Sequence, residues 1–265
     1  MMNRFLTILG CGSSGGVPRI GNEWGDCDPG NPRNRRRRCS VLITSKSQHG
    51  QTRVLVDTSP DLREQLLSAG VGDLDGVLYT HEHADHTHGI DDLRGIFLRS
   101  GRRVEVWADD ATGRMLTTRF SYCFYQAPGS DYPPTLNLNA MRPGEPVLVS
   151  GLGGSISALP FHVEHGGIDA LGFRIGDMAY TPDLSGVPES SLPALANLDL
   201  WIVDALKRTP HLSHWSLPQT LNWIARMKPR RAVLTNLHVD LDYDTLVREL
   251  PSGIEPAYDG LELSF

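Results

Sequence analysis

Short apolar segments alternate with polar and glycine-rich stretches along the whole chain. Segments with the length and residue types of β-strands lie at residues 5–9, 39–44, 53–57, 77–79, 104–107, 155–163, 171–175, 178–181 and 198–205. Helical patterns lie between some of them, at residues 59–67, 89–94, 111–120 and 216–227. The last of these helices begins with a capping box formed by Ser216 and Gln219. Elements of these lengths fit an α/β fold.

The size and charge of the chain limit what it can be. It has 265 residues, of which 40% are hydrophobic, so it can bury one large core, and we expect a single domain over residues 1–265. The net charge of −6 and the sequence pI near 5.9 argue against long nucleic acid or an anionic membrane as partners. No apolar run reaches 18 residues, and the N-terminal run is too short for a signal peptide. We therefore expect a soluble cytoplasmic protein.

Residues 126–141 are rich in proline, glycine and asparagine, and they predict a long loop. Long loops in compact enzymes often shape a substrate pocket or a subunit contact. We therefore expect this segment to border the pocket or to contribute to a homodimer.

The densest group of metal-ligand residue types is the stretch 79–86, which follows an apolar run. His81 and His83 are two residues apart, so in extended chain both side chains leave the same side of the backbone and can bind one ion. Asp85 and His86 can then reach a second ion. Two neighbouring divalent ions form a hydrolytic centre, because together they stabilise the attacking and the leaving oxygen.

A solvated loop that is rich in histidine is the alternative, but the pattern His-x-His-x-Asp-His after a strand is highly specific for metal binding. At these residues the chain resembles the metallo-β-lactamase-fold hydrolases. The resemblance implies an αββα sandwich, in which two mixed sheets pack face to face, helices cover the outer faces and metals lie where strand ends converge. It also implies a third histidine at a later strand end, then a bridging aspartate and a last histidine near the C-terminus.

His165 and Asp183 are the candidates for the first two of these ligands. His162 competes with His165, but His165 lies at the tip of the strand against a glycine turn, whereas His162 lies inside the strand. Asp183 also follows a strand, and an aspartate can give one oxygen to each of two ions. The alternative role for Asp183 is a cap of the turn that follows it.

Two residues compete for the position of the last ligand. The family commonly has Thr-His at the end of a strand, whereas this chain has Asn236 after Thr235 and His238 two residues later. Asn236 and His238 have the same strand parity, so a displacement of two residues could still bring an imidazole to the site. Because asparagine is a weak neutral ligand, we assign the last position to His238.

His214 lies just before the predicted helix at 216–227. The pattern resembles the branch of the family that hydrolyses phosphodiesters, especially the phosphoribosyl 1,2-cyclic phosphate phosphodiesterases, in which a histidine ahead of this helix donates a proton. The resemblance implies that His214 is the catalytic acid, with His211 as the alternative, and we assign Asp85 a catalytic role besides its ligand role. His214 could also be an exposed loop residue without a role.

The resemblance implies a hydrolase with two divalent metal ions, zinc or manganese with iron as a further option, since histidine and carboxylate ligands suit all three. The expected substrate is a small anionic phosphodiester or nucleotide, with phosphoribosyl 1,2-cyclic phosphate and 2',3'-cyclic nucleotides as the favoured cyclic candidates. A tRNA 3'-processing endonuclease or exonuclease of the same fold is the alternative, although the acidic chain has no evident RNA-gripping insertion. A non-enzymatic metal-binding protein is a second alternative.

Two further features are placed near the site by this resemblance, and a third is interpreted from its residue types alone. Asp57 matches an acidic position that orients the metal loop without binding a metal itself. The glycine-rich stretch at 10–16 is a tight turn or a backbone contact for substrate phosphate. The run from Arg35 to Arg38 is a solvated surface or, since arginine suits phosphate, an element that binds anionic substrate.

Overall fold

The computed structural model describes residues 3–265 and contains two β-sheets of seven strands each. In chain order the strands are β1 (Asn3–Gly10), β2 (Ser40–Ser47), β3 (Gly50–Val56), β4 (Gly76–Leu78), β5 (Val104–Ala108), β6 (Leu136–Ala140), β7 (Val147–Gly151), β8 (Gly154–His165), β9 (Ile168–Ile175), β10 (Met178–Thr181), β11 (Leu200–Asp204), β12 (Arg231–Thr235), β13 (Ile254–Pro256) and β14 (Glu262–Ser264). The α-helices are α1 (Leu62–Ser68), α2 (Ala84–Thr87), α3 (Leu93–Ser100), α4 (Asp110–Arg119), α5 (Ser121–Phe124), α6 (Leu217–Met227) and α7 (Tyr243–Glu249). Short 3-10 helices lie at Pro32–Asn34, Ile90–Asp92 and Glu189–Leu195.

Both sheets are mixed, and in each of them strands that are consecutive in the chain lie side by side, except that β14 lies beside β1. The first sheet has the order β14-β1-β2-β3-β4-β5-β6, and the second has the order β13-β12-β11-β10-β9-β8-β7. Strands β3 to β6 are parallel in the first sheet, and β10 to β13 are parallel in the second. Parallel strands bring their carboxyl ends to one edge of a sheet, where ligand sites of α/β proteins commonly form.

The side chains of the strands alternate between an inner and an outer core. In β2, Val41 and Ile43 are buried between the sheets with Phe173 and Ile202 of the second sheet. Leu42 of the same strand belongs to a core that lies under α1, α3 and α4. A third core lies between the second sheet and α6 and α7. The αββα sandwich of two mixed sheets with outer helices, predicted from the sequence, is therefore confirmed.

The predicted loop at 126–141 is shorter in the structure, because its last residues form β6. This strand is the edge of the first sheet and pairs in parallel with β5. Leu136 is buried, and exposure alternates along the following residues as it does in a strand with one solvated face. The two asparagines of the segment hid this pattern, because asparagine is uncommon in strands.

Within residues 3–265, no helix combines the length and the apolar character that a membrane crossing needs.

Candidate metal centre

Five chain segments that follow strands meet at one edge of the sandwich. The histidine motif follows β4, His165 ends β8 and Asp183 follows β10. Asp204 ends β11, and Asn236 follows β12. Because the strands are held in register by their neighbours, residues that are far apart in the sequence, such as His81 and Asp183, are fixed beside one another.

His81, His83, His165 and Asp183 form the first group, whose potential ligand atoms all lie within 4.8 Å of one another. Nδ1 of His83 lies 3.0 Å from Nε2 of His81 and 3.1 Å from Nε2 of His165. Oδ2 of Asp183 lies 3.6 Å from Nε2 of each of these two histidines. These distances fit the spacing of ligands around one ion, since metal–nitrogen bonds are about 2.0–2.1 Å long.

Asp85, His86 and Asp183 form a second group. Nε2 of His86 lies 3.5 Å from Oδ2 of Asp85 and 3.4 Å from Oδ2 of Asp183. The carboxylate of Asp183 therefore belongs to both groups. This is the position that a carboxylate needs in order to bridge two ions.

The hydrogen bonds behind the histidines fix which ring nitrogen carries the proton. Nδ1 of His165 lies 2.7 Å from the carbonyl oxygen of Ser213, and Nδ1 of His86 lies 2.7 Å from Oδ2 of Asp57. Carbonyl and carboxylate oxygens only accept, so both imidazoles donate through Nδ1 and leave a lone pair on Nε2. Metal-binding histidines are oriented in this way by partners outside the coordination sphere.

Asp57 reaches His81 as well, through Thr80. The backbone N–H and the hydroxyl of Thr80 donate to the two carboxylate oxygens of Asp57, at 2.8 and 2.7 Å. Because that hydroxyl proton is used, the hydroxyl oxygen accepts from Nδ1 of His81 at 2.9 Å. Nε2 of His81 therefore also carries a lone pair that faces the group. The structure gives Asp57 the orienting position that the sequence suggested.

Charge and burial at the site favour a cation. Nε2 of His86 is buried and has no hydrogen-bond partner within the described chain. Burial lowers the pKa of His81 and that of His165, which keeps both imidazoles neutral and able to bind metal. Burial also opposes the charged form of His86, but the facing carboxylates of Asp183 and Asp85 outweigh it and raise the pKa of His86. A buried imidazole nitrogen that has no protein partner and faces carboxylates favours a positive charge, which a divalent ion can supply in place of a proton, and the donor set suits zinc, manganese or iron.

His214 lies beside the first group, held by a buried carboxylate. Nδ1 of His214 lies 2.9 Å from Oδ2 of Asp204, and the His214 ring centroid lies 4.6 Å from that of His165. Burial alone would lower the pKa of His214, but the hydrogen bond and the charge of Asp204 raise it to about 9. The structure thus brings His214 to the site in a form that can donate a proton at neutral pH.

Asn236 connects this pair to the ligand groups. Its Nδ2 lies 3.2 Å from Oδ1 of Asp183 and 3.2 Å from Oδ1 of Asp204, and both carboxylates can only accept. The two N–H groups of the amide are therefore used by the two aspartates. Asn236 orients Asp183 from outside the two groups, with Nδ2 facing the site.

The assignment of His238 as the last ligand does not fit this geometry. β12 ends at Thr235, and Asn236 has a positive φ of 60°, so the chain turns before it reaches His238. The N–H of His238 donates to the carbonyl oxygen of Leu206, and its side chain contacts Arg19 and Asp240 instead of the ligand groups. The parity argument required the strand to continue for three more residues, and it does not.

Each side chain of the arginine run has a partner of its own. Arg36 is buried and donates to the carbonyl oxygen of Leu241, and Arg37 pairs with Asp259. Arg38 pairs with Asp61, while Arg35 lies over the ring of Trp24. The arginine run therefore joins the segment before β2 to the rest of the fold. Neither of the two roles considered from the sequence, a solvated surface or an element that binds anionic substrate, included this structural role.

The other sequence candidates are also located. His162 is exposed, whereas His165 is buried in the first group. His211 is exposed, with its ring centroid 5.3 Å from that of His214.

Sequence reasoning missed the roles of Asp204 and Thr80. For Asp204 a signal existed, since it ends an apolar strand in the same way that Asp183 follows one.

The chain is similar to several known proteins. Residues 52–236 match the family model for the beta-lactamase superfamily domain. The crystal structure of a new diphosphatase from the PhnP family superposes with a TM-score of 0.87 at 35% sequence identity, over 100% of this chain and 98% of that chain. An octanoyltransferase of Porphyromonas gingivalis is 35% identical over 260 residues, which is 96% of this chain.

A ribonuclease Z of Deinococcus radiodurans is 34% identical over 91 residues, which is 34% of this chain. The chain spans about half of the length of the octanoyltransferase and 28% of the length of the ribonuclease Z. The diphosphatase, by contrast, is matched over nearly its full length.

Proposed function

The chain belongs to the β-lactamase superfamily, and from this membership and the geometry of its site we propose that it hydrolyses a small phosphodiester with two divalent metal ions. The resemblance to metallo-β-lactamase-fold hydrolases is confirmed, and the chain has the fold of a hydrolase. The metal ligands that we propose are His81, His83, His165 and Asp183 for one ion and Asp85, His86 and Asp183 for the other. Bound ions would offset negative charge on the phosphate oxygens and activate water for attack.

The observation that carries the proposal is the position of His214 beside ligand groups that share Asp183. Cleavage of a phosphodiester releases an alkoxide, which is a poor leaving group unless it receives a proton. In this proposal His214 donates that proton from Nε2, because Nδ1 is directed at Asp204. Asp204 keeps His214 protonated, and Asn236 holds both aspartates in place. Asp85, the partly exposed member of the second group, would help to hold the second ion beside the substrate.

A cyclic phosphodiester is the substrate that we favour, with phosphoribosyl 1,2-cyclic phosphate and 2',3'-cyclic nucleotides as candidates. The sequence pattern of the histidine motif and of the segment before α6 supports this choice, as does the likeness to a diphosphatase over the whole chain. Both substrate types are small anions that present a phosphorus atom with a sugar hydroxyl as the leaving group. The proposal treats residues 1–265 as one unit.

RNA 3'-end cleavage is the second candidate, and the partial match to a ribonuclease Z favours it. The net charge of −6 weighs against it, since RNA binding uses basic surfaces. The octanoyltransferase is about twice as long as its segment that matches this chain. Its name therefore gives no reason to propose acyl transfer for this chain. A metal-binding protein without activity is the remaining alternative, and the pairing of His214 with the buried Asp204 beside the ligand groups weighs against it.

A substrate panel tests the proposal. Purified protein is assayed with zinc, manganese or iron on ribose 1,2-cyclic phosphate 5-phosphate, 2',3'-cyclic AMP, a linear dinucleotide and a precursor tRNA. We expect metal-dependent turnover of the cyclic substrates, and its loss in His83→Ala. Turnover of precursor tRNA alone would favour the second candidate, and binding of metal without any turnover would leave only a metal-binding role.

A further inference from the structure

The two ligand groups of the metal centre are unequal. The first group contains four side chains, which are His81, His83, His165 and Asp183. The second group contains three, which are Asp85, His86 and Asp183. Within residues 3–265, no other histidine, cysteine or carboxylate joins the second group. Four protein ligands complete a tetrahedral metal site, whereas three leave at least one position for water or substrate.

The carboxylate of Asp183 gives only one of its two oxygens to these groups. Its Oδ2 lies 3.4 Å from Nε2 of His86 and 3.6 Å from Nε2 of both His81 and His165. Its Oδ1 instead accepts a hydrogen bond from Nδ2 of Asn236 at 3.2 Å. The two groups therefore share a single oxygen atom, and the second group gains no further oxygen from Asp183.

Asn236 presents hydrogen-bond donors to the metal centre. Its Nδ2 donates to Asp183 and, at 3.2 Å, to Oδ1 of Asp204. An amide NH₂ group is a donor and has no lone pair available for a cation. Asn236 is buried, so competition from water at these contacts is small. It thus holds Asp183 in place but adds no ligand atom to the second group.

The opening of the site lies over both ligand groups. Of the six ligand residues, His83 and Asp85 are the two that are not buried. His83 belongs to the first group and Asp85 to the second. A phosphate that enters between them meets both groups. Its oxygens can occupy the position that the protein leaves open in the second group.

We propose that the second group binds its metal ion weakly by itself and that a phosphate oxygen of the substrate completes this site. Substrate and second ion then bind cooperatively, and each raises the affinity for the other by the same factor. This inference rests on the proposed phosphodiesterase function and adds a form of regulation to it. The chain holds one ion tightly at rest and takes up the second together with its substrate, so activity responds to the concentration of free metal.

Manganese binding to the metal-free protein tests the inequality of the two sites. Unbound manganese is measured from its electron paramagnetic resonance signal during the titration. Loss of an orienting partner alone weakens metal binding by about 10- to 100-fold, so a site that has one ligand fewer should be weaker by at least about tenfold. We therefore expect one tight and one weak ion per chain in the absence of any phosphate ligand.

The same titration with adenosine 3'-monophosphate tests the cooperativity. This phosphate monoester should tighten the weak ion by about 5- to 150-fold, which is the usual range for two coupled sites, and should leave the tight ion unchanged. Adenosine without the phosphate should have no effect. The converse measurement is the affinity for adenosine 3'-monophosphate at one and at two equivalents of manganese, and it should show the same factor.

Variants identify the residue that causes the inequality. Asn236→His supplies an imidazole, so both ions should bind tightly and adenosine 3'-monophosphate should no longer tighten the second. Asn236 has a positive φ of 60°, which histidine also tolerates. Asn197→His is the matched control, because Asn197 has a φ of 54° and is exposed before the amino end of β11. It should behave as the wild type does. Asp85→Asn should lose the weak ion and keep the tight one.

The outcomes separate this inference from the function on which it rests. Two ions of equal affinity in the wild type, or a weak ion that does not respond to adenosine 3'-monophosphate, would overturn the inference while the hydrolysis of phosphodiesters stands. No turnover of any cyclic substrate by protein that holds both ions would mean that the proposed function has failed, even if metal and phosphate bind cooperatively.

Discussion

Nδ1 of His214 lies 2.9 Å from Oδ2 of Asp204, and the Asp204 side chain is fully buried while that of His214 is 14% exposed. A carboxylate that is ionised only accepts hydrogen bonds, so the Nδ1 proton of His214 is directed at Asp204. The proton that can be transferred is then at Nε2. The pair has the arrangement of a general acid and the carboxylate that orients it.

The role of His214 predicts an effect that depends on the leaving group. His214→Ala should lower kcat on 2',3'-cyclic AMP by about 100- to 10,000-fold, since an alkoxide needs a proton to leave. The same variant should affect bis(p-nitrophenyl) phosphate far less, because p-nitrophenolate leaves without protonation. Steady-state kinetics on both substrates measure the difference, with His162→Ala as the exposed control. An equal loss on the two substrates would exclude His214 as the proton donor.

The pH dependence of hydrolysis should reflect the contact between His214 and Asp204. Burial lowers the pKa of His214, but the hydrogen bond and the charge of Asp204 raise it to about 9. A general acid works only while it is protonated, so the rate on 2',3'-cyclic AMP should fall as pH rises through this pKa. Asp204→Asn removes the two largest raising contributions and leaves burial and the smaller effect of Asp183, so the fall should begin at a lower pH. If the rate falls over the same alkaline pH range in the wild type and in Asp204→Asn, Asp204 does not raise the pKa of His214.

Asn236 and His238 make opposite predictions for metal content. His238→Ala should retain metal as the wild type does, because His238 contacts Arg19 and Asp240 and no ligand group. Asn236→His should bind the second ion more tightly, because it puts an imidazole beside Asp183. Metal analysis after dialysis measures both. A loss of one ion in His238→Ala would restore His238 as a ligand.

Asp57 should govern metal affinity without touching a metal. It accepts from His86 directly and orients His81 through Thr80. Replacing such an orienting carboxylate typically weakens metal binding by about 10- to 100-fold, and we expect this of Asp57→Asn in competition with a chromophoric chelator. The exposed Asp73→Asn serves as control. Wild-type affinity in Asp57→Asn would mean that the histidines are oriented without it.

The histidine motif could be identified from the sequence because its chemistry is local. His81, His83, Asp85 and His86 follow one strand, so the spacing of the residues decides which side chains converge. His165 could be chosen over His162 for a similar reason, since the end of a strand and its parity are visible in the pattern of apolar residues. The apolar segment at residues 39–44 was likewise recognisable as a strand, and it forms most of β2.

The end of β12 was not predictable in this way. One residue with a positive φ, Asn236, takes the chain out of the strand, and His238 is then fixed by the carbonyl group of Leu206. The arginine run is a second case, because Arg36 and Arg37 bind residues more than 200 positions away. Partners that the fold brings together over such distances leave no mark on the local sequence.

Two metal sites that share Asp183 should act together on a phosphodiester bond. This joint action is tested most directly by titrating chelator-treated, metal-free protein with manganese while the turnover of 2',3'-cyclic AMP is measured. The account predicts that activity rises to a plateau at about two equivalents of metal per chain, and that Asp183→Asn stays inactive over the same range. A plateau at one equivalent, or full turnover without metal, would contradict it.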